Sequence, residues 1–81
     1  MDTDAMVSTA VVALRRAREI GIDSREIARE SGVSDSAISQ WSKGLRSISA
    51  DNESRLRAAL VVLLRRHVEA SNALLADLES V

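Results

Sequence analysis

The sequence predicts an all-α fold, a small bundle of four to five helices built around one steep helix–corner–helix unit. Three observations carry this. The chain has no proline and a single aromatic residue, with Ala, Leu, Val, Arg and Glu abundant, a composition that suits helix. Its apolar residues recur at spacings of three and four rather than in alternation. Its three glycines, Gly21, Gly32 and Gly44, fall where amphipathic segments end, and glycine accepts the left-handed conformation that closes a helix. Eighty-one residues make one domain, 1–81, with a modest core to which association with a second chain would add stability.

In chain order, 1–4 is polar and reads as a frayed end. An amphipathic helix is predicted from Ala5 to about Ile20, with Met6, Ala10, Ala13, Leu14, Ala17 and Ile20 inward and Arg15, Arg16, Arg18 and Glu19 outward. The arginines read as a solvated face near a helix C-terminus, or as a supporting phosphate contact. Ile22 turns inward, and Asp23 or Ser24 caps a short second helix running to Ser31, which Gly32 closes. Ser34 caps a third helix, with Asp35 near the positive end of its dipole. That helix runs to about Lys43 and stops at Gly44. Leu45 to Ser49 is a loop in which Leu45 and Ile48 are expected to tuck under the core. Ser49 is the candidate cap of a last segment with no breaker for about thirty residues, one long helix or two with a bend. Leu56, Leu60 and Leu63 can close the core. Val61, Leu64, Val68, Ser71, Leu75 and Leu78, joined by Leu74 and Val81, form a second, heptad-like seam. It reads as a dimer interface over about 61–81, carried by Val61, Leu64, Val68, Leu74, Leu75 and Leu78.

The unit from Ser24 to Gly44 organises the rest. A helix-turn-helix needs a small residue where its helices touch, a corner tolerant of positive φ, and apolar residues on the inner face of the second helix. Ala28, Gly32 and the Ile38/Trp41 pair meet these demands at the right spacing, and Trp41 reads as core with its indole N–H at the domain edge. On the set Ala28, Gly32-Val33-Ser34, Ser36, Ile38-Ser39, Trp41 and Gly44, the segment resembles the helix-turn-helix of the lambda-repressor/Cro-like DNA-binding domains. The strong likeness covers about 21 residues and a looser one runs from Val11 to Leu64.

The resemblance implies a lambda-repressor-like bundle whose third helix enters the major groove of double-stranded DNA. It assigns base reading to Asp35, Ser36, Ser39 and Gln40. The Gln40 amide can donate to and accept from adenine, the serines can do either, and Asp35 can accept from a cytosine amino group. Asp35 could equally satisfy backbone N–H groups at the helix start. Phosphate contacts would come from Ser24, Arg25, Ser34, Lys43, Arg46 and Ser47, through helix N-termini and groups flanking the groove. Three positions depart from the family pattern. Ser24 stands where many members carry a glutamine that clamps phosphate and braces the third helix, Ser42 where many carry glutamate, and Ile48 near a common proline.

Charge and chemistry narrow the function further. The net charge is −1, and residues 24–60 carry six basic and five acidic side chains, so a basic footprint must come from geometry, with Arg25, Lys43 and Arg46, joined by Arg55, gathered on one face. The chain has no cysteine, which excludes disulfides, thiolate metal sites and cysteine nucleophiles. His67 is the one histidine; it reads as facing solvent or the dimer seam. No glycine-rich phosphate loop or catalytic set is visible, and no cofactor or metal is expected. No apolar run approaches a membrane span and no signal-peptide layout opens the chain, so a cytoplasmic protein is expected. The sequence thus points to a sequence-specific transcriptional regulator and not an enzyme. Its type would be a Cro-like dimeric repressor of a phage or mobile element, or an operon autoregulator, acting on an inverted-repeat operator. A helix-turn-helix antitoxin or adaptor that grips another protein through its C-terminal helix is the alternative.

Overall fold

The computed structural model describes residues 8–80. These form four helices and no strand: α1 (Thr9–Glu19), α2 (Ser24–Ser31), α3 (Asp35–Ser42) and α4 (Ala50–Glu79). Each opens on a side chain that accepts a hydrogen bond from a free N–H of the first turn. Ser8 Oγ accepts from the Val11 N–H at 3.2 Å, Asp23 Oδ1 from Arg25 at 3.1 Å, Ser34 Oγ from Ala37 at 3.1 Å and Ser49 Oγ from Asn52 at 3.2 Å. The cap of α2 is therefore Asp23, not Ser24.

α1 and α2 pack against α4, while α3 packs on α2 and α1. Trp41, Leu14, Ile27, Ile38 and Leu56 are the largest fully buried side chains, with Leu60 and Leu63 closing the bundle. The last segment is a single helix of 30 residues, one of the two forms its unbroken sequence allowed.

The structure corrects three expectations. α1 begins at Thr9, not Ala5, because Ser8 takes an extended conformation (φ −71°, ψ 127°) and caps it. Met6 and the frayed end lie outside the described residues, as does Val81 at the other end of the chain. Ile20 is 50% exposed. The chain reverses at Gly21 (φ +100°), where the Ile22 N–H donates to the Ala17 carbonyl at 3.0 Å and the Gly21 N–H to Arg18 at 3.1 Å. This Schellman closure drops Ile22, not Ile20, into the core beside buried Ala17. Leu45 is 73% exposed although it occupies the equivalent place after α3, with its N–H on the Gln40 carbonyl at 2.8 Å. The motif's usual apolar contact would join Leu45 to Gln40, which is polar and exposed, so nothing draws the leucine inward. Ile48 alone of the loop pair packs against the core.

Candidate nucleic-acid interface

The inner face of α3 is Ala37, Ile38 and Trp41, all buried. Helical periodicity then turns Asp35, Ser36, Ser39, Gln40 and Lys43 outward; Ser39 is half-buried and the others are exposed. All four side chains assigned to base reading thus lie on the turns of one helix that its packing leaves uncovered. Ser34, not Asp35, takes the first-turn N–H, so the carboxylate of Asp35 is not used as the cap. Ser34 accepts through a lone pair and keeps its O–H for another acceptor.

The corner between α2 and α3 is held by Gly32, at φ +75° with open space around it. The far end of α3 is held differently. Arg15 Nε donates to the Ser42 carbonyl at 2.9 Å, and Arg18 Nη1 donates to Ser42 Oγ at 2.9 Å. These bonds satisfy an otherwise free carbonyl and place positive charge at the negative end of the α3 dipole. Ser42 thus receives an arginine through a hydroxyl at the position where related sequences often offer a carboxylate. Among the described residues no side-chain hydrogen bond joins α2 to α3, so Ser24, half-buried at the start of α2, does not supply the brace a glutamine would. α1 supplies it instead. The sequence reading missed this role. Arginines three apart on one helix face were visible, but their partner 24 to 27 positions later was not.

The loop after α3 is tied to the core by Trp41, whose indole N–H donates to the Ser47 carbonyl at 3.3 Å. Arg46 and Ser47 are exposed there. With Arg15 and Gly44 they line a cleft at the end of α3, and the Arg15 guanidinium lies 3.8 Å from where a Gly44 Cβ would stand. Among the described residues three ion pairs engage carboxylates of α2 and α4. Glu30 is drawn to Arg66 of α4 at 3.3 Å, Asp51 to Arg55 at 3.4 Å, and Glu53 to Arg57 at 3.2 Å. Among the described residues Arg25, Lys43 and Arg46 have no ion-pair partner, whereas Arg55, expected beside them, is held by Asp51 one turn away; Arg15 and Arg18 spend their hydrogen bonds on neutral acceptors. A chain with net charge −1 thereby leaves several cations unpaired on and beside α2 and α3, together with the carboxylates of Glu26 and Asp35.

Glu53 lies at the opposite end of α1. It accepts from Ser8 Oγ at 2.6 Å and from the Ala10 N–H at 3.4 Å. The Ser8 hydroxyl, then the Ala10 N–H, hold its carboxyl below the ordinary range; partial desolvation opposes them and Arg57 assists.

The second candidate surface is the distal half of α4. Every residue from Val68 to Ser80 is exposed, including Leu74 at 60% and Leu78 at 66%. Leu64 is only half-buried and packs against the core, which joins the seam to the body. His67 is half-buried over the Gly21–Ile22 corner. Among the described residues no helix is long and apolar enough to cross a membrane.

Residues 14–60, more than half of the chain, match the helix-turn-helix family. No curated protein and no solved structure matches the chain. The family match takes in α2, α3 and the root of α4, and stops short of the seam.

Proposed function

We propose that this chain, which belongs to the lambda-repressor/Cro-like helix-turn-helix family of DNA-binding transcriptional regulators, reads its operator with α3 as a two-fold dimer and represses by occlusion. The observation that carries the reading is α3 itself. Its base-reading side is uncovered, its N-terminus is capped by Ser34, and its C-terminal end is clamped by Arg15 and Arg18.

In this reading Gln40 pairs with adenine and Ser36, Ser39 and Asp35 test neighbouring base edges. Arg46, Lys43 and Arg25, with the hydroxyls of Ser24, Ser34 and Ser47, fix the register on the phosphates. Two copies of α3 in successive major grooves, about 34 Å apart, require an inverted-repeat operator. Exclusion of polymerase from that site is the simplest regulatory consequence for a small domain of this kind. The rival reading, an adaptor or antitoxin working through the α4 face, draws support from the exposed leucines of that helix.

Two substitutions separate DNA reading from any protein-only role. Gln40→Ala is expected to cost about 1–3 kcal/mol of discrimination at one base pair per half-site. Arg46→Ala is expected to weaken binding to all sequences alike and to lower the salt slope by about one per protomer. Both should keep the native circular dichroism. Undiminished DNA affinity and an unchanged base preference in both variants would remove α3 as the reading element.

A further inference from the structure

We propose that the exposed face of α4 pairs with the same face of a second copy of this chain in antiparallel sense, so that the tip of each helix lies on the root of the other. This rests on the dimeric reading above and specifies how the dimer is built.

The helix is too long for the body it serves. The described residues extend 50 × 29 × 19 Å with a radius of gyration of 14.6 Å, against about 12 Å for a compact chain of this length. From Val68 to Ser80 nothing among the described residues covers α4, and an isolated helix of that length is marginal in water. Its seam positions are regularly spaced. Val61, Leu64, Val68, Ser71, Leu75 and Leu78 alternate spacings of three and four, the pattern of two helices wound about each other.

Charge sets the direction. Arg65 and Arg66 lie at the root of the seam, while Glu69, Asp77 and Glu79 lie toward its tip. Arg66 is engaged by Glu30, whereas Arg65 has no ion-pair partner among the described residues. Parallel pairing would set like charges side by side along the helix. Antiparallel pairing sets the basic root of each helix beside the acidic tip of the other. The register that uses all six seam positions opposes Val61 to the partner's Leu78, Leu64 to the partner's Leu75, and Val68 to the partner's Ser71. Helical side chains incline toward their own N-terminus, which brings Arg65 and the partner's Glu79 toward each other.

Shape agrees with that register. Beside Val61 and Leu64 an apolar groove runs between α4 and α1, floored by Leu60 and the small side chains of Ala10 and Ala13. It lies where the partner's Leu78 would arrive. A shallower hollow along Leu64 and Val68 continues it toward the tip. Centred between Glu69 and Ala70, the pairing holds the two bodies about 40 Å apart along the helices, comparable to the ~34–36 Å between successive major-groove faces.

The absence of cysteine makes the test direct. Val61→Cys and Leu78→Cys each place a single thiol at an exposed site. Each variant is oxidised alone and in an equal mixture, and covalent dimer is read by mass under denaturing, non-reducing conditions. The antiparallel register expects at least tenfold more covalent dimer in the mixture than in either variant alone. Identical positions then stand 17 residues, roughly 25 Å, apart, too far for a disulfide. Arg65→Glu should raise the dimer dissociation constant about tenfold, and Glu79→Arg added to it should restore pairing. Self-cross-linking of Val61→Cys overturns the orientation and leaves the dimeric reading standing. Failure of the mixture to cross-link while the unaltered chain keeps dimer mass assigns the dimer to another face. Monomer mass at every concentration overturns both.

Discussion

At Trp41 the indole ring fills the centre of the bundle, 1% exposed, while its N–H holds the Ser47 carbonyl and with it the loop that carries Arg46. The two roles separate by substitution. Trp41→Ala is expected to cost about 3–5 kcal/mol, the loss of a large buried side chain plus its cavity. Trp41→Phe keeps most of the packing and loses the hydrogen bond, about 1 kcal/mol, with DNA affinity falling further than that as the loop loosens. Urea denaturation beside a binding titration checks both. At this scale much was legible in advance. Ser34 and Ser49 follow from the need to satisfy free N–H groups, and Gly32 from its positive φ, since both are local rules. Leu45 was not legible, because its exposure depends on Gln40 standing where an apolar partner is needed. Nor was the use of Arg15 and Arg18, whose acceptor on Ser42 is brought to them only by the packing of α3 on α1.

At the scale of the element, α4 is two things in one helix. Its first half closes the core through Leu56, Leu60 and Leu63, and its second half leaves the body. Its length was readable from the absence of any breaker, but the place where it stops touching its own chain was not, because Leu64 belongs to both the core and the seam. Among the described residues, truncation after His67 removes only exposed ones. The body should therefore stay folded, with its circular dichroism reduced only by the lost turns, while dimer mass disappears and operator affinity falls at least a hundredfold. A truncated chain that remains dimeric would place the interface elsewhere. Glu53 ties α4 to the start of α1, and its effect depends on pH in a defined direction. Because the folded state lowers its pKa, its contribution is fully present above the ordinary glutamate value, about 4.3. It is lost as pH falls through the folded value. Glu53→Gln should therefore be less stable than the parent at pH 7, with the difference closing in the acid limb of a thermal-denaturation series. A constant offset at all pH values would mean that packing alone is involved.

For the whole molecule, net charge is a poor guide to partner. The chain is slightly acidic overall, yet Glu30, Asp51 and Glu53 are engaged by arginines and Asp23 by a helix cap, while Arg25, Lys43 and Arg46 have no ion-pair partner among the described residues. Composition alone argued against a DNA partner; the pairing of Glu30, Asp51 and Glu53 within the fold weakens that objection. The core positions and the helix-turn-helix could be read from spacing because helical periodicity and the corner glycine are local signals. The brace on α3 and the root of the seam join residues far apart in sequence and emerged only with the packing. The measurement that tests the central claim most directly is selection of DNA from a random pool at physiological salt, with the mass of the bound complex. The expected result is an enriched inverted repeat bound by two chains, with the preference relaxed at one base pair per half-site in Gln40→Ala and binding weakened for all sequences alike in Arg46→Ala. No enrichment, with affinity independent of salt, would contradict it and mean that α3 does not read DNA.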